Sequence, residues 1–139
     1  DSLNGAIRVG QEWAISHART SPIVVVPADL AALTAPAFDG ALHQLAWLDR
    51  THIPDHWGRG TTLSAAARPE LLVPRYGIGS ERAHAAAGSV PILDVELGVR
   101  LDVDSLDDLA GAASLGLGPR TRRIHLVDAS VGPMAPLVD

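Results

Sequence analysis

The amino-acid sequence predicts an α/β layered fold, and three segments carry that prediction. Residues 23–26 form a short β-branched run, as in a buried strand of a parallel sheet. Residues 1–18 place apolar side chains at helical spacing. Ser105 and Asp108 form a capping-box-like start for a helix that is expected to end near Gly116. Strands that alternate with helices in this way favour stacked layers of sheet and helix.

The remaining elements follow from the same periodicities and from turn residues. Either Asp1 or Ser2 is suited to cap the first helix, and Ser80 is suited to cap a later one. A tail that starts after Ile124 is rich in Pro, Gly and Ala and is predicted to be peripheral. Extended segments are predicted at 52–57, 61–66, 90–93 and 99–103, and further helices at 34–48 and 80–87.

Composition excludes several classes of protein and site. The 139 residues contain no cysteine, which excludes disulfides, thiolate zinc sites and a cysteine nucleophile and fits a cytoplasmic location. The net charge of −5 argues against binding to nucleic acid, and no apolar run approaches the length of a membrane span. All 11 basic residues are arginine, so a lysine-bearing phosphate loop cannot lie within these residues.

Three acidic residues form the first candidate site. Asp102 and Asp104 are two apart, so on a strand their carboxylates would point to one face. Asp29 follows the predicted strand at 23–26, where ligands gather in layered α/β folds. Converging carboxylates repel each other unless a cation lies between them, and Mg²⁺ prefers oxygen ligands. The alternative interpretation is a set of solvated strand ends.

Two glycine-containing loops form the second candidate site. The segment 58–62, which includes Thr61, offers close backbone approach to a ligand and hydroxyl donors, or else forms a tight turn between two strands. The segment 74–80, which includes Gly77 and Ser80, enters a predicted helix whose first amides favour an anion. Its alternative interpretation is simple helix capping.

The histidines do not predict a zinc site. His52 and His56 are four residues apart, but Pro54 between them disfavours the helix that would bring them together. His84 is interpreted as a surface residue of the helix at 80–87.

Taken together and in order, these segments resemble the phosphoenolpyruvate or 2-phospho-L-lactate guanylyltransferase family. The resemblance covers roughly residues 1–123, which defines the expected domain and leaves 124–139 as the tail. The segments that carry it are Leu3-Asn4 with Ala6-Ile7, Val24-Val25-Val26-Pro27-Ala28-Asp29-Leu30, Gly58-Arg59-Gly60-Thr61, Pro74-Arg75-Tyr76-Gly77 with Ser80 and His84, Arg100-Leu101-Asp102-Val103-Asp104-Ser105, Asp107-Asp108-Leu109, and Leu115-Gly116-Leu117-Gly118-Pro119-Arg120-Thr121. Two positions depart from the family's pattern, because Ala31 stands where the family usually has proline and Arg59 replaces a small residue.

The resemblance implies a Rossmann-like nucleotidyltransferase fold and a Mg²⁺-dependent reaction. GMP would pass from GTP to a phosphorylated three-carbon acid with release of pyrophosphate, in the synthesis of the deazaflavin coenzyme F-420. By motif, the family's metal ligands correspond to Asp29, Asp102 and Asp104, and its acid-binding residues to Thr61, Gly77 and Ser80. The glycine-rich turn and the 115–121 segment resemble the bacterial branch, which favours phosphoenolpyruvate as the acceptor.

Two other interpretations stay open at this point. One is a nucleotidyltransferase of another cofactor or of a sugar-phosphate pathway. The other is a non-catalytic remnant, or a subunit that another chain completes. Because the family's first strand and its basic nucleotide loop would precede Asp1, we interpret the chain as a carboxyl-terminal portion that is inactive by itself.

Overall fold

The structure is a computed structural model that describes residues 2–45 and 48–130, with the backbone alone for 125–130. The predictions for Asp1, for residues 46–47 at the end of the second helix and for 131–139 lie outside this range. The strands are β1 (Ile23–Val25), β2 (Arg50–Pro54), β3 (Thr61–Ala66) and β4 (Val90–Pro91). The helices are α1 (Leu3–His17), α2 (Ala35–Leu45), α3 (Ser80–Ala86), α4 (Leu97–Arg100), α5 (Leu106–Leu115) and α6 (Pro119–Ser130), with a short 3-10 helix at Pro69–Leu71.

The four strands form one mixed sheet in the order β1-β3-β2-β4. Strand β3 is antiparallel to both β1 and β2, whereas β2 and β4 are parallel. The α/β class is therefore confirmed, but the predicted parallel pairing of the first strand is wrong. The first strand pairs antiparallel because the short connection from Pro54 to Thr61 turns the chain back as a hairpin. The returning strand, β3, then lies between β2 and β1. The Rossmann-like layering stays a prediction.

Helix starts are the part of the local structure that the sequence predicts best. The Ser2 hydroxyl accepts a hydrogen bond from the Gly5 amide at 3.1 Å and caps α1. Ser105 and Asp108 form a complete capping box at the start of α5, and Gly116 ends that helix. These caps depend only on residues that are close together in the sequence, so they can be predicted from it.

The strand predicted at 99–103 is wrong. The residues up to Arg100 belong to α4, and Leu101 continues in an extended backbone that joins no sheet. Val99 and Leu101 are both buried, but they pack into two different apolar clusters. Gly98 makes this possible, because a β-carbon there would lie 2.6 Å from the Ala32 carbonyl oxygen. The alternating pattern therefore reflects burial in two places rather than one sheet face.

Two further sequence predictions differ from the structure. Gly79, with φ of 72°, occupies the cap position of α3, and Ser80 is the first helical residue with no capping bond from its side chain. Helix α6 continues past Ile124 to Ser130, so this part of the predicted tail is helical. Among the described residues, no helix is long and apolar enough to span a membrane.

The core positions the loops that follow β1. The larger apolar cluster joins α2 to the sheet through residues that include Leu45, Ile53 and Leu63. A smaller cluster joins the 30–33 segment to α5 through Ala32, Leu101 and Ala112. The two clusters together hold the segment before α5 beside the segment after β1.

Candidate active site

A cleft of about 590 Å³ opens beside the carboxyl end of β1. Its lining includes apolar side chains, among them Leu3 and Ile7 of α1. The structure brings all six residues that the sequence singled out to line this one cleft: Asp29, Thr61, Gly77, Ser80, Asp102 and Asp104. The cleft therefore joins the two candidate sites into one.

The acidic edge of the cleft is formed by Asp29, Asp102 and Asp104. The backbone N–H of Val103 donates to the carbonyl oxygen of Asp29 at 3.2 Å, which ties the extended segment to the loop after β1. The shared strand face that we expected for Asp102 and Asp104 does not exist, and this tether brings them to the cleft instead. Burial raises the pKa of the Asp102 carboxyl, and the carboxylates of Asp55, Asp104 and Asp29 raise it further.

The donor set at this edge fits Mg²⁺. Among the described residues, no group of three or more His, Cys, Asp or Glu side chains is close enough to hold a metal ion by itself. Mg²⁺ does not need such a cage, because it keeps several waters and commonly binds one or two carboxylates together with substrate phosphates. A cation bound among these carboxylates would reduce the repulsion between them and the charge of Asp102.

Asp55 also lines the cleft, and sequence reasoning missed it. Its two carboxylate oxygens accept hydrogen bonds from the backbone amides of Arg59 and Gly60, each at 2.8 Å. A β-carbon at Gly60 would lie 2.6 Å from one of these oxygens, so the turn requires glycine there. The signal was an aspartate placed before a glycine-rich turn, a residue that typically binds backbone amides a few positions later. Asp55 thereby fixes the turn that leads into Thr61.

The first two helix amides after the loop 74–80 donate to backbone carbonyls of the protein. The Ser80 amide donates to the Gly77 carbonyl at 3.0 Å, and the Glu81 amide donates to the Arg59 carbonyl at 3.3 Å. These two amides are therefore engaged within the protein, and the anion site at the start of this helix stays a prediction. Gly77 has φ of 134°, a backbone conformation that favours glycine, and Ser80 lines the same cleft.

Tyr76 also lines the cleft; it lies in the predicted 74–80 loop, but we assigned it no role of its own from the sequence. The side chain of Asn4 holds its backbone, because the amide of Asn4 donates to the Tyr76 carbonyl and its oxygen accepts from the Tyr76 N–H, both at 2.8 Å. The Tyr76 hydroxyl donates to the Ser64 hydroxyl at 3.0 Å. Burial raises the pKa of Tyr76 to about 12, so the phenol is neutral at ordinary pH.

The interpretation of His84 as a surface residue is wrong, since only 2% of it is exposed. Its Nε2 atom lies 3.1 Å from the Arg75 amide, and its Nδ1 atom lies 2.9 Å from the Ser80 carbonyl oxygen and 3.1 Å from the Thr61 hydroxyl oxygen. Its ring stacks against that of His52 at 5.6 Å between centroids. The sequence places His84 on a helix but does not show that the 74–79 loop covers it.

No protein-family model matches the chain. The chain is 38% identical over 122 residues to phosphoenolpyruvate guanylyltransferase 1 of Rhodococcus jostii, an alignment that covers 87% of this chain and 52% of the relative. It is 40% identical over 122 residues to the phosphoenolpyruvate guanylyltransferase of Streptomyces scabiei, with 87% and 56% covered. The enzyme of the same name from Salinispora arenicola is 41% identical over 118 residues, with 85% and 52% covered.

The chain thus spans about half the length of the curated relatives that it matches. The alignments cover 87% of this chain at 38% and 40% identity, so the similarity extends well beyond the residues that line the cleft. The resemblance inferred from the sequence is therefore confirmed: this chain is related, over most of its length, to the phosphoenolpyruvate guanylyltransferases.

Proposed function

We propose that the whole protein transfers GMP from GTP to phosphoenolpyruvate with release of pyrophosphate, as a Mg²⁺-dependent step in the synthesis of coenzyme F-420. The observation that carries this proposal is the cleft itself. It gathers three carboxylates that suit a hard cation. The same cleft also contains the hydroxyls and the glycine backbone that suit a small phosphorylated acid. The names of the curated relatives support the same reaction.

The chemistry needs alignment more than proton transfer. A phosphate oxygen of the acid forms a bond to the α-phosphorus of GTP, while the bond from that phosphorus to the bridging oxygen breaks and pyrophosphate leaves with the electron pair. The attacking oxygen is already negative, so no general base is required. Bound Mg²⁺ would neutralise charge on the two phosphates and on the leaving pyrophosphate.

The side chains of the cleft would divide this work between them. Asp29, Asp102 and Asp104 would hold Mg²⁺ at the acidic edge together with water and the substrate phosphates. The Thr61 and Ser80 hydroxyls and the Gly77 backbone would bind and orient the acid. Arg59 is the basic side chain among the described residues that line the cleft, so it would offset part of the phosphate charge there.

Product analysis of the whole protein tests this proposal. The protein is incubated with GTP, Mg²⁺ and phosphoenolpyruvate, and the products are separated and weighed by mass spectrometry. We expect equal amounts of pyrophosphate and of an adduct that joins GMP to the acid through a phosphate anhydride. Release of GDP or of free GMP, with no adduct, would contradict the proposed transfer.

A further inference from the structure

The imidazole of His84 is held in one tautomer by its hydrogen bonds. The Arg75 backbone N–H can only donate, so the Nε2 atom that faces it at 3.1 Å must be the acceptor. The Ser80 carbonyl can only accept, so the Nδ1 atom that faces it at 2.9 Å must carry the proton. Both ends of the neutral ring are thereby assigned by geometry, with the proton on Nδ1.

This assignment decides what the Thr61 hydroxyl does. The Thr61 oxygen lies 3.1 Å from the same Nδ1 atom, which carries a proton and has no lone pair left to offer. The Thr61 oxygen therefore accepts from the imidazole and does not donate to it. Its own hydrogen stays available, and Thr61 lines the cleft at the start of β3.

His84 is also fixed in place and does not act as an acid or base. It is buried between the ring of His52 and the edge of the Tyr76 ring, whose centroid lies 5.1 Å away. A second proton on Nε2 would face the Arg75 N–H, which leaves no acceptor for it. Burial accordingly lowers the pKa of His84 below its usual value.

We propose that His84 is a positioning residue for the acid substrate: it holds the Thr61 hydroxyl as an acceptor, so that the Thr61 hydrogen donates to an oxygen of the acid. The same imidazole bonds to the segments that carry Gly77 and Ser80, so one side chain sets the spacing of all three proposed acid contacts. This inference rests on the proposed function and extends it to a residue outside the cleft lining.

The tautomer is tested without any substitution. In the whole protein, two-bond correlation of imidazole carbon-bound protons with the ring nitrogens by NMR distinguishes the two nitrogens of His84. We expect a protonated Nδ1 and an unprotonated Nε2 at neutral pH. A proton on Nε2, alone or in addition to that on Nδ1, would overturn the inference whatever reaction the protein catalyses.

Two variants separate the roles of the two ring nitrogens in steady-state kinetics. His84→Asn keeps a donor near the Nδ1 position, whereas His84→Gln keeps an acceptor near the Nε2 position and loses the donor to Thr61. We expect His84→Gln to raise KM for the acid roughly tenfold, the effect of one lost hydrogen bond, with KM for GTP unchanged. We expect His84→Asn to raise KM for the acid much less.

Controls distinguish positioning from a general structural effect. His52→Gln alters the neighbouring buried imidazole, whose hydrogen bond is to Ser89 and not to Thr61, and is expected to lower stability while leaving KM for the acid unchanged. In a Thr61→Val background, His84→Gln should add little, because its effect passes through Thr61. Equal effects of the two His84 variants, or additive effects with Thr61→Val, would overturn the inference. If the unaltered protein transfers GMP to no acid, the proposed function is wrong. The NMR measurement then still tests the tautomer of His84 and its hydrogen bond to Thr61, independently of the reaction.

Discussion

The backbone N–H of Val103 donates to the carbonyl oxygen of Asp29 at 3.2 Å, and this bond joins two acidic segments of the chain at the same edge of the cleft. Asp102 and Asp104 flank Val103 in the sequence, so both are carried to the cleft by it. The acidic edge is thus built by a tether between loops, supported by the two apolar clusters that pack these loops together, rather than by a sheet.

The first prediction concerns this edge. In the whole protein, Asp102→Asn and Asp104→Asn should each abolish Mg²⁺-dependent release of pyrophosphate, because an amide is a poorer ligand than a carboxylate for a hard cation. The measurement is turnover across a Mg²⁺ titration, with circular dichroism to confirm folding. Asp107→Asn is the matched control, since Asp107 lies in the first turn of α5 and does not line the cleft. Near-normal turnover of both cleft variants at saturating Mg²⁺ would remove these residues from the site.

The second prediction concerns Ser80. Because its hydroxyl makes no capping bond to α3, Ser80→Ala should leave the free energy of unfolding almost unchanged. It should nevertheless raise KM for phosphoenolpyruvate, roughly tenfold for one lost bond to a charged group, and leave KM for GTP near its original value. Ser114→Ala, on the exposed side of α5, is the control. A larger effect on GTP than on the acid would assign Ser80 to the nucleotide instead.

Much of this site can be predicted from the sequence, because its residues stand at the ends of elements. The strand β3 matches the predicted 61–66, and Ser2 and Ser105 cap helices as expected. The features that could not be predicted depend on contacts between residues far apart in the sequence. The covering of His84 by the 74–79 loop and the separate burial of Val99 and Leu101 depend on contacts that no local periodicity encodes. Asp55 was missed because its carboxylate satisfies amides that follow it, a role that resembles an ordinary turn.

The third prediction concerns stability at low pH. Burial, and then the proximity of His84, lower the pKa of His52 to about 4, whereas an unfolded histidine titrates near 6.5. The unfolded state therefore binds more protons between these values, so the stability from neutral His52 is complete above about pH 6.5 and is lost as the pH falls towards 4. The loss amounts to about 3 kcal/mol of unfolding free energy.

Chemical denaturation across this pH range measures the effect. His52→Gln removes the titrating group and should flatten the dependence on pH, whereas His43→Gln, at an exposed position of α2, should leave it as it is. If the two variants show the same slope as the unaltered chain between pH 6.5 and 4, the burial of a neutral His52 is not the source of the acid sensitivity.

The fourth prediction concerns GTP and the chain of residues 1–139. Four aspartates and one arginine are the charged residues that line the cleft in the described part of the chain, an environment that disfavours a triphosphate. We expect calorimetric titration of this chain with GTP and Mg²⁺ to show no measurable binding. Micromolar affinity would mean that the residues described here are enough to hold the nucleotide.

The identity of the acid is the central claim, and a comparison of kcat/KM tests it most directly. Phosphoenolpyruvate, 2-phospho-L-lactate and 3-phospho-D-glycerate are each supplied to the whole protein at fixed GTP and Mg²⁺, and formation of the guanylylated acid is measured. The three differ in planarity, in one methyl or hydroxyl group and in phosphate position, differences worth only about 1–3 kcal/mol each. We predict that kcat/KM is highest for phosphoenolpyruvate, by roughly tenfold or more. A higher kcat/KM for either of the other acids would contradict the assignment.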